Sequence, residues 1–449
     1  MTNAELMARD LAVLWHPCTQ QKDHEHYPLL PIARGEGAWL IDHDGKRYLD
    51  AISSWWTNLF GHANPRINAA LKTQLDTLEH VIFSGCTHAP AVELAERLIA
   101  LAPPGLTRVF YNDNGASSIE VALKMSYHFW RNSGKTGKTR FVALKNSYHG
   151  ETLGALSVTD IPLFKETYAP LLMRSMLVET PDSYLAEPGE TADERALRAI
   201  ADLERVLAEH HGEICAVIVE PLVQCAAGMR MYSPLYLRKL RELTTRYEVH
   251  FIADEIAVGF GRTGTLFACE QAGVTPDLMC LSKGITGGYL PLSAVLTTDA
   301  FYQAFYDDYA SLRAFLHSHS YSGNALACRA AVATLDIFAS EPVLGNNRKL
   351  SRKMAEATAH LRDHPHVADV RTCGMIHAIE MVRDKATKTP FDWRERRGMR
   401  VYEHALRAGA LLRPMGSVVY FMPPYVITED EIDFLARVAE DAINLATAD

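Results

Sequence analysis

A carboxylate and an amine stand at the ends of two short apolar runs in the middle of the sequence. The predicted strand Val249–Asp254 ends in an aspartate, and Lys283 directly follows the predicted strand Leu278–Ser282. Open α/β sheets bind ligands at the carboxyl ends of their strands. A lysine there can attack carbonyls once burial lowers the pKa of its amine. The pair indicates pyridoxal 5'-phosphate, because Lys283 can form a Schiff base with the aldehyde while Asp254 keeps the ring nitrogen protonated.

Two further segments supply what such a cofactor needs. Gly115 and Ala116 lead into a predicted helix at 117–131, and the backbone N–H groups of a helix N-terminus bind phosphate without a dedicated cation. Tyr148 follows the predicted strand Arg140–Leu144, so its ring can lie against the cofactor ring. Each feature alone is an ordinary structural element, and the combination favours a cofactor site.

A glycine pattern offers a competing interpretation. Gly259, Gly261 and Gly264 fit the G-x-G-x-x-G spacing of dinucleotide-binding loops. Such a loop needs a tight strand-to-helix turn and an acid that ends a second strand. Here the glycines begin five residues after Asp254, and the next aspartate, Asp277, precedes its strand. A structural loop is favoured; a nicotinamide-dependent dehydrogenase and a non-catalytic binding module remain the alternatives from other classes.

The elements that position these residues alternate along the middle of the chain. Nearly continuous apolar runs predict strands that are covered on both faces, as in a parallel sheet joined by crossover helices. The predicted strands are Arg140–Leu144, Ile214–Glu220, Val249–Asp254, Leu278–Ser282 and Leu292–Thr297. Helices are predicted at 117–131 and 196–210, and Glu120 and Lys124 have the i,i+4 spacing of a favourable ion pair.

The two ends of the chain show a different pattern. Residues 31–50 predict two short strands around a turn at 42–45, and Thr428 with Glu431 has the form of a capping box at the start of a last helix. We therefore expect an α/β protein with a large domain at 66–335. A small α+β domain should be built from 1–65 and 336–449 together.

The composition excludes several classes of protein. The 449 residues carry 45 Lys and Arg against 54 Asp and Glu, a formal net charge of −9. This balance gives no electrostatic footprint for nucleic acid or an anionic membrane surface, so neither is expected as a partner. We find no apolar stretch of 18 residues and no secretory signal at the N-terminus, so nothing predicts a membrane span.

The cysteines and histidines predict neither a disulfide framework nor a metal site. The eight cysteines are scattered without a C-x-x-C pair, which favours reduced thiols and a cytoplasmic protein. His24 with His26, and His364 with His366, each lack a third convergent ligand. No metal is therefore expected.

Several segments taken together resemble the class III aminotransferases of fold type I. They follow the order and spacing of that family from about residue 30 to the C-terminus: Asn114-Gly115-Ala116-Ser117, Tyr148-His149-Gly150, Glu220-Pro221, Asp254-Glu255, Gly259-Phe260-Gly261-Arg262-Thr263-Gly264 and Ser282-Lys283-Gly284. The resemblance implies pyridoxal 5'-phosphate bound to Lys283, and a homodimer with shared active sites. It also makes the glycine-rich loop a feature of the family.

Four more segments resemble the family members that transaminate 8-amino-7-oxononanoate in biotin biosynthesis. They are Leu14–Pro17, Ser53–Trp56, Gly228–Tyr232 and Arg413–Tyr425. The resemblance implies S-adenosylmethionine as the amino donor. Lysine as donor, and an ω-aminotransferase acting on 4-aminobutyrate or ornithine, are the alternatives.

The resemblance also implies substrate contacts. A long apolar substrate with a distal carboxylate needs an apolar wall and an arginine that can pair with the carboxylate in a bidentate manner. Trp55 with Tyr148 is implied as the wall, and Arg413 near Tyr420 as the carboxylate clamp. The freed amine of Lys283 would meet the same substrate.

The sequence departs from the family at several of these positions. Cys18 stands where the family usually has a tyrosine that contributes to substrate recognition. Ser318, His319 and Ser320 replace the Gly-Pro-Thr of a segment whose Thr holds the cofactor phosphate of the neighbouring subunit. Ser320 keeps the hydroxyl, so we expect that contact to persist with His319 beside it and Ser318 facing substrate. Glu151 replaces the usual aspartate.

Overall fold

The computed structural model describes residues 1–27 and 29–448, which form two compact units. Unit 1 comprises Met1–Pro65, Lys349–Thr372 and His377–Asp449, and unit 2 comprises Arg66–Arg348 and Cys373–Ile376. Unit 2 thus extends 13 residues beyond the boundary that the sequence places near residue 335.

The helices and strands alternate through most of the chain. The helices are α1 (Asn3–Val13), α2 (Ser53–Trp56), α3 (Pro65–Leu75), α4 (Ala89–Leu101), α5 (Gly115–Asn132), α6 (Leu153–Ser157), α7 (Pro162–Lys165), α8 (Ala192–His210), α9 (Pro234–Arg246), α10 (Asp299–Phe305), α11 (Ala325–Ser340), α12 (Val343–Ala357), α13 (Arg397–Ala408) and α14 (Glu429–Thr447). The strands are β1 (Ile32–Glu36), β2 (Trp39–Asp42), β3 (Arg47–Asp50), β4 (Leu106–Asn112), β5 (Arg140–Leu144), β6 (Met176–Val178), β7 (Ile214–Val219), β8 (Val223–Gln224), β9 (Arg230–Met231), β10 (His250–Asp254), β11 (Leu278–Leu281), β12 (Ser293–Thr298), β13 (Val367–Cys373), β14 (Ile376–Met381), β15 (Ala410–Leu411) and β16 (Val418–Phe421).

A seven-stranded sheet forms the centre of unit 2, with strand order β4-β12-β11-β10-β7-β5-β6. The pairs among β11, β10, β7, β5 and β6 are parallel, and β12 runs antiparallel to both of its neighbours. The apolar face of α5 packs into the core against this sheet, and all six residues of β7 are buried. The predicted α/β fold with a mostly parallel sheet is confirmed.

The strands predicted from apolar runs are present in this sheet. β5 has the predicted bounds, and β7, β10, β11 and β12 differ from prediction by one residue at one or both ends. The helix predicted at 117–131 is α5, and the one at 196–210 forms the later part of α8. The prediction of an ion pair between Glu120 and Lys124 is wrong, because each side chain has other partners. Glu120 accepts hydrogen bonds from the Thr152 hydroxyl and the Gly154 N–H. Lys124 Nζ lies 2.8 Å from His317 Nδ1.

Unit 1 contains two small sheets, of order β1-β2-β3-β15 and β13-β14-β16. Residues 31–50 form three strands where the sequence predicted two, because β1 pairs with β2 before β2 turns into β3. The predicted capping box is present: Thr428 Oγ1 accepts from the Glu431 N–H and the Glu431 carboxylate accepts from the Thr428 N–H. It starts α14 as expected.

Two properties of the chain follow from the same coordinates. Within residues 1–27 and 29–448 no helix is both long and apolar enough to cross a membrane. None of the eight cysteines, all of which lie in the described part, is bridged to another.

Candidate active site

The carboxyl edge of the unit 2 sheet brings the predicted aspartate and lysine together. β10 and β11 are parallel neighbours, and Asp254 stands opposite Cys280 in their register. Lys283 comes three residues after Cys280, at the same edge. Parallel pairing therefore brings an acid and a base to the same carboxyl edge, where open α/β sheets bind ligands.

Asp254 has a partner that the sequence did not reveal. The carboxylate is buried, and its Oδ2 lies 2.7 Å from Nδ1 of His149, which is itself 2% exposed. Because a carboxylate only accepts, His149 donates from Nδ1. The Ile256 N–H donates to the other oxygen at 3.1 Å. The hydrogen bonds to its two oxygens orient the Asp254 carboxylate and offset the cost of its burial.

Lys283 starts a short 3-10 turn, Lys283–Thr286, in an uncommon backbone conformation. Its φ is +46°, a left-handed value that non-glycine residues rarely adopt and that often marks functional positions. Burial lowers the pKa of the Lys283 amine, while the nearby carboxylates of Asp254 and Glu220 are among the groups that oppose this shift. A larger share of neutral amine is available than in an exposed lysine.

The start of α5 is the segment for which the sequence predicts a phosphate cradle. Asn114 caps the helix by accepting from the Ser117 N–H at 3.0 Å. The other N–H groups at the start of a helix have no partner within the helix and are available to an anion. Two glycines stand at points of close approach here. A Cβ at Gly115 would lie 3.0 Å from Ile256 Cγ2, and one at Gly150 would lie 2.7 Å from Ala116 Cβ. The loops after β4, β5 and β10 therefore converge on this helix start.

Tyr148 lies on the loop after β5 and is held at both ends. Its backbone N–H donates to Glu220 Oε1 at 2.9 Å, and its hydroxyl donates to Glu151 Oε1 at 2.9 Å. The ring meets Phe164 edge to face at 5.5 Å. Glu151, the departure from the family's aspartate, thus still reaches the Tyr148 hydroxyl.

Glu220 connects the loops after β5 and β7. Besides the Tyr148 N–H, its carboxyl accepts the Cys225 N–H at 3.0 Å. Burial, and secondly the charge of Asp254, raise the pKa of Glu220 to about 8. A second negative charge beside Asp254 is therefore disfavoured at this buried edge.

The glycine-rich loop has a structural role. Glu255, which is buried, accepts the Ala268 and Cys269 N–H groups at 2.9 and 2.8 Å, and burial raises the pKa of its carboxyl to about 7. The Gly261 N–H donates to the Leu266 carbonyl, which closes the loop on itself. A short 3-10 turn at Ala268–Ala272 follows, where a dinucleotide site would need a long helix.

The 317–320 segment lies beside the cradle of its own chain. His319 Nδ1 is 2.9 Å from Asp113 Oδ2, directly before the Asn114 cap. The Ser320 carbonyl accepts from His80 Nε2 at 2.7 Å. The side chains of Ser318 and Ser320 are exposed.

The predicted substrate residues of unit 1 form a second group. The Arg413 guanidinium lies 5.1 Å from the centre of the Trp55 ring, and both side chains are exposed. Trp56 is buried and donates from Nε1 to the Tyr420 hydroxyl at 3.1 Å. Cys18 is exposed with φ +51°. An apolar face beside a fixed cation suits an apolar chain that ends in a carboxylate.

The histidine pairs bring no third ligand in the described part of the chain, where no group of three His, Cys, Asp or Glu is placed to hold a metal ion.

Two residues at the sheet edge, His149 and Glu220, were not predicted as site residues from the sequence. Both belong to motifs that were noted, but the contacts that give them a role join loops far apart in sequence, 105 residues for His149 and Asp254.

The chain is similar to known proteins along nearly its whole length. The family model for class-III aminotransferases matches residues 19–443. The adenosylmethionine-8-amino-7-oxononanoate aminotransferase of Geobacter sulfurreducens is 47% identical over 97% of this chain and 96% of its own length, and that of Helicobacter pylori is 46% identical over 95% of each.

Solved structures of aminotransferases also match the fold of this chain. The crystal structure of the Methanocaldococcus jannaschii adenosylmethionine-8-amino-7-oxononanoate aminotransferase matches with a TM-score of 0.93, 38% identity and coverage of 99% of this chain and 100% of that one. The omega transaminase of Pseudomonas jessenii in complex with PMP matches at 0.94, with 31% identity and 98% coverage of each chain. The dehydrogenase alternative is therefore wrong. This chain belongs to the class-III aminotransferases, a family of enzymes that depend on pyridoxal phosphate.

Proposed function

We propose that this enzyme transfers the amino group of S-adenosylmethionine to the keto group of 8-amino-7-oxononanoate, which yields 7,8-diaminononanoate for biotin biosynthesis. The relatives that carry this activity in their names align over nearly the whole chain. The observation that carries the proposal is the Arg413 guanidinium 5.1 Å from the Trp55 ring, an exposed cation and apolar face that match a chain ending in a carboxylate.

The residues at the sheet edge fit pyridoxal phosphate. Gly115 and Ala116 begin α5, whose N-terminal N–H groups suit the phosphate. Asp254, buried and oriented by His149, suits a protonated ring nitrogen. Lys283 at the same edge suits the aldehyde. When bound, the cofactor supplies an electron sink for the bond that breaks at the substrate carbon.

Lys283 is the proposed catalytic acid and base. Its amine is made less basic by burial. It would accept the proton from the donor α-carbon and deliver it to C4′, the carbon that carries the aldehyde in the free cofactor. On the acceptor, 8-amino-7-oxononanoate, it moves the proton in the opposite direction.

The other proposed site residues hold and orient the cofactor and the substrate. Tyr148, fixed through Glu220 and Glu151, places its ring against the cofactor ring and the substrate. Asp254, oriented by His149, keeps a ring-nitrogen proton in place. We assign Ser318 to a substrate contact.

Trp55, Arg413, Tyr420 and Cys18 complete the proposed substrate contacts. Arg413 binds the distal carboxylate and Trp55 lines the apolar chain. Tyr420 supports them by accepting from Trp56. Cys18 lacks the ring and hydroxyl of a tyrosine that could contact the amino donor. Free lysine therefore remains the alternative donor to S-adenosylmethionine.

We propose a cytoplasmic homodimer in which Ser320, with His319 beside it, contacts the cofactor phosphate of the partner subunit. Groups of large apolar side chains that are exposed to solvent mark protein interfaces. Five such side chains lie near Ser320 in the sequence and are 64–94% exposed: Tyr306, Tyr309, Leu312, Leu316 and Tyr321. The unbridged cysteines are compatible with a reducing compartment.

The donor half-reaction tests this function. Holoenzyme mixed with S-adenosylmethionine alone should lose the visible absorbance of its lysine-bound cofactor, and later addition of 8-amino-7-oxononanoate should restore it. Lysine in place of S-adenosylmethionine serves as the matched comparison. An unchanged spectrum with S-adenosylmethionine would contradict that donor, and a loss with lysine alone would assign the donor role to lysine.

A further inference from the structure

Four consecutive residues of unit 1 adopt a left-handed backbone conformation. Ser53, Ser54, Trp55 and Trp56, the whole of α2, have φ angles of +50°, +46°, +73° and +71°. None of them is glycine, so each carries the steric cost of placing Cβ close to the backbone. Such a turn persists only where surrounding contacts determine it strongly, and it is enriched at functional sites.

The Asp50 carboxylate supplies several of those contacts. Oδ1 accepts from the Ile52 N–H at 3.2 Å and the Ser54 N–H at 3.0 Å. Oδ2 accepts from the Ser54 hydroxyl at 2.8 Å and lies 3.0 Å from His62 Nε2. Asp50 is 0% exposed and ends β3, so its position is fixed by the sheet.

The turn separates the two tryptophans. Ser53 donates from its hydroxyl to the Met422 carbonyl at 2.7 Å, and Trp56 donates to Tyr420, so these two side chains are buried. Trp55, between Ser54 and Trp56, is 46% exposed with the Arg413 guanidinium over its ring. A right-handed or extended backbone would give the two rings different directions.

We propose that Asp50 is a positioning residue for substrate specificity. By holding Ser54 in the left-handed region, and with His62 at its second oxygen, it keeps Trp55 facing outward beside Arg413, where the apolar chain of the substrate binds. This inference rests on the proposed function, because that function assigns substrate contacts to Trp55 and Arg413.

The test compares two buried carboxylates of unit 1. Asp50→Asn preserves shape but removes the charge and one acceptor oxygen. Asp42→Asn is the matched control: Asp42 is 3% exposed and accepts from the Asp44 and Lys46 N–H groups and the Tyr48 hydroxyl, away from the turn. Each holoenzyme is measured by hydrogen exchange of the amides at 52–58 and by steady-state kinetics with 8-amino-7-oxononanoate.

Asp50→Asn should speed exchange at 52–58 and raise KM for 8-amino-7-oxononanoate, each about tenfold, with kcat within about twofold, as expected for the loss of a charge-assisted hydrogen bond that acts on binding. Asp42→Asn should leave both values near those of the wild type. If Asp50→Asn fails to fold, Ser54→Ala, which removes one bond to Oδ2, should shift both values in the same direction by about threefold.

Four results would overturn the inference. One is faster exchange with unchanged KM, which would make Asp50 purely structural; another is equal effects in the two Asn variants. The third is a wild type that does not aminate 8-amino-7-oxononanoate, which would refute the proposed function as well. An active wild type with an unaffected Asp50→Asn variant refutes the positioning role alone.

Discussion

Replacement of Arg413 should abolish the preference of the enzyme for a substrate with a free carboxylate. Arg413→Met keeps an unbranched apolar stem that can still cover the Trp55 ring, but removes the guanidinium that lies 5.1 Å from it. Arg413→Lys keeps the charge and loses the planar fork that pairs with both carboxylate oxygens.

The size of the effect follows from the exposure of Arg413. An exposed ion pair contributes about 0.2–1 kcal/mol, and a hydrogen bond to a charged group about 1.5–3 kcal/mol. Arg413 is exposed, but a bound substrate that packs on Trp55 shields it in part. We therefore expect about 1.4 kcal/mol, a factor of about ten.

The assay uses holoenzyme that already carries the amino group, so that donor binding does not enter. In single turnovers the wild type should use 8-amino-7-oxononanoate about tenfold more efficiently than its methyl ester. Arg413→Met should use the two within about twofold of each other, and Arg413→Lys should lie between. All three enzymes should treat the ester alike. A preference for the acid that survives in Arg413→Met would refute the assignment of the carboxylate to this residue.

Three further outcomes are expected. Burial lowers the pKa of His377 to about 3, so the unfolded chain gains a proton that the folded chain does not as pH falls below about 6.5. Between pH values of about 7.5 and 5.0 this should cost about 2 kcal/mol in the free energy of unfolding measured with denaturant. His377→Gln should show a correspondingly smaller loss over the same range; equal losses would contradict this. Gly150→Ala, at φ +124° with its Cβ 2.7 Å from Ala116 Cβ, should weaken reconstitution of the apoenzyme with pyridoxal phosphate about tenfold while far-UV circular dichroism stays unchanged; unaltered affinity would argue against a cradle at this helix start. Cys18→Tyr should lower KM for S-adenosylmethionine up to about tenfold relative to lysine, through added aromatic contact; an equal change for both donors would remove Cys18 from donor recognition.

Strand positions could be predicted because their signals are local. A continuous apolar run marks a strand covered on both faces, and the residue that ends it faces the sheet edge, so Asp254 and Lys283 could be placed together before any coordinates. The capping box at Thr428 is equally local, since the N-cap and N3 residues satisfy each other.

Contacts between distant segments could not be predicted in the same way. The i,i+4 spacing of Glu120 and Lys124 is favourable on an isolated helix. In the folded chain, however, Glu120 bonds to the Gly154 N–H and Lys124 lies against His317, so the two do not pair with each other. The hydrogen bond from His149 to Asp254 depends on how two loops meet, and no spacing rule encodes it.

Backbone handedness is the other property that the sequence hides. The Ser-Ser-Trp-Trp segment contains no glycine, so nothing in its composition predicts four left-handed residues. Contacts with residues outside the segment, among them the carboxylate of Asp50 at the end of β3, account for the turn.

Transfer of a labelled amino group tests the central claim most directly. Holoenzyme is incubated with S-adenosylmethionine carrying ¹⁵N at its α-amino group and with unlabelled 8-amino-7-oxononanoate, and the products are analysed by mass spectrometry. The account predicts 7,8-diaminononanoate with one ¹⁵N, and no such product from the Lys283→Ala variant. Absence of label in the diamine, or labelled diamine from Lys283→Ala at the wild-type rate, would contradict it.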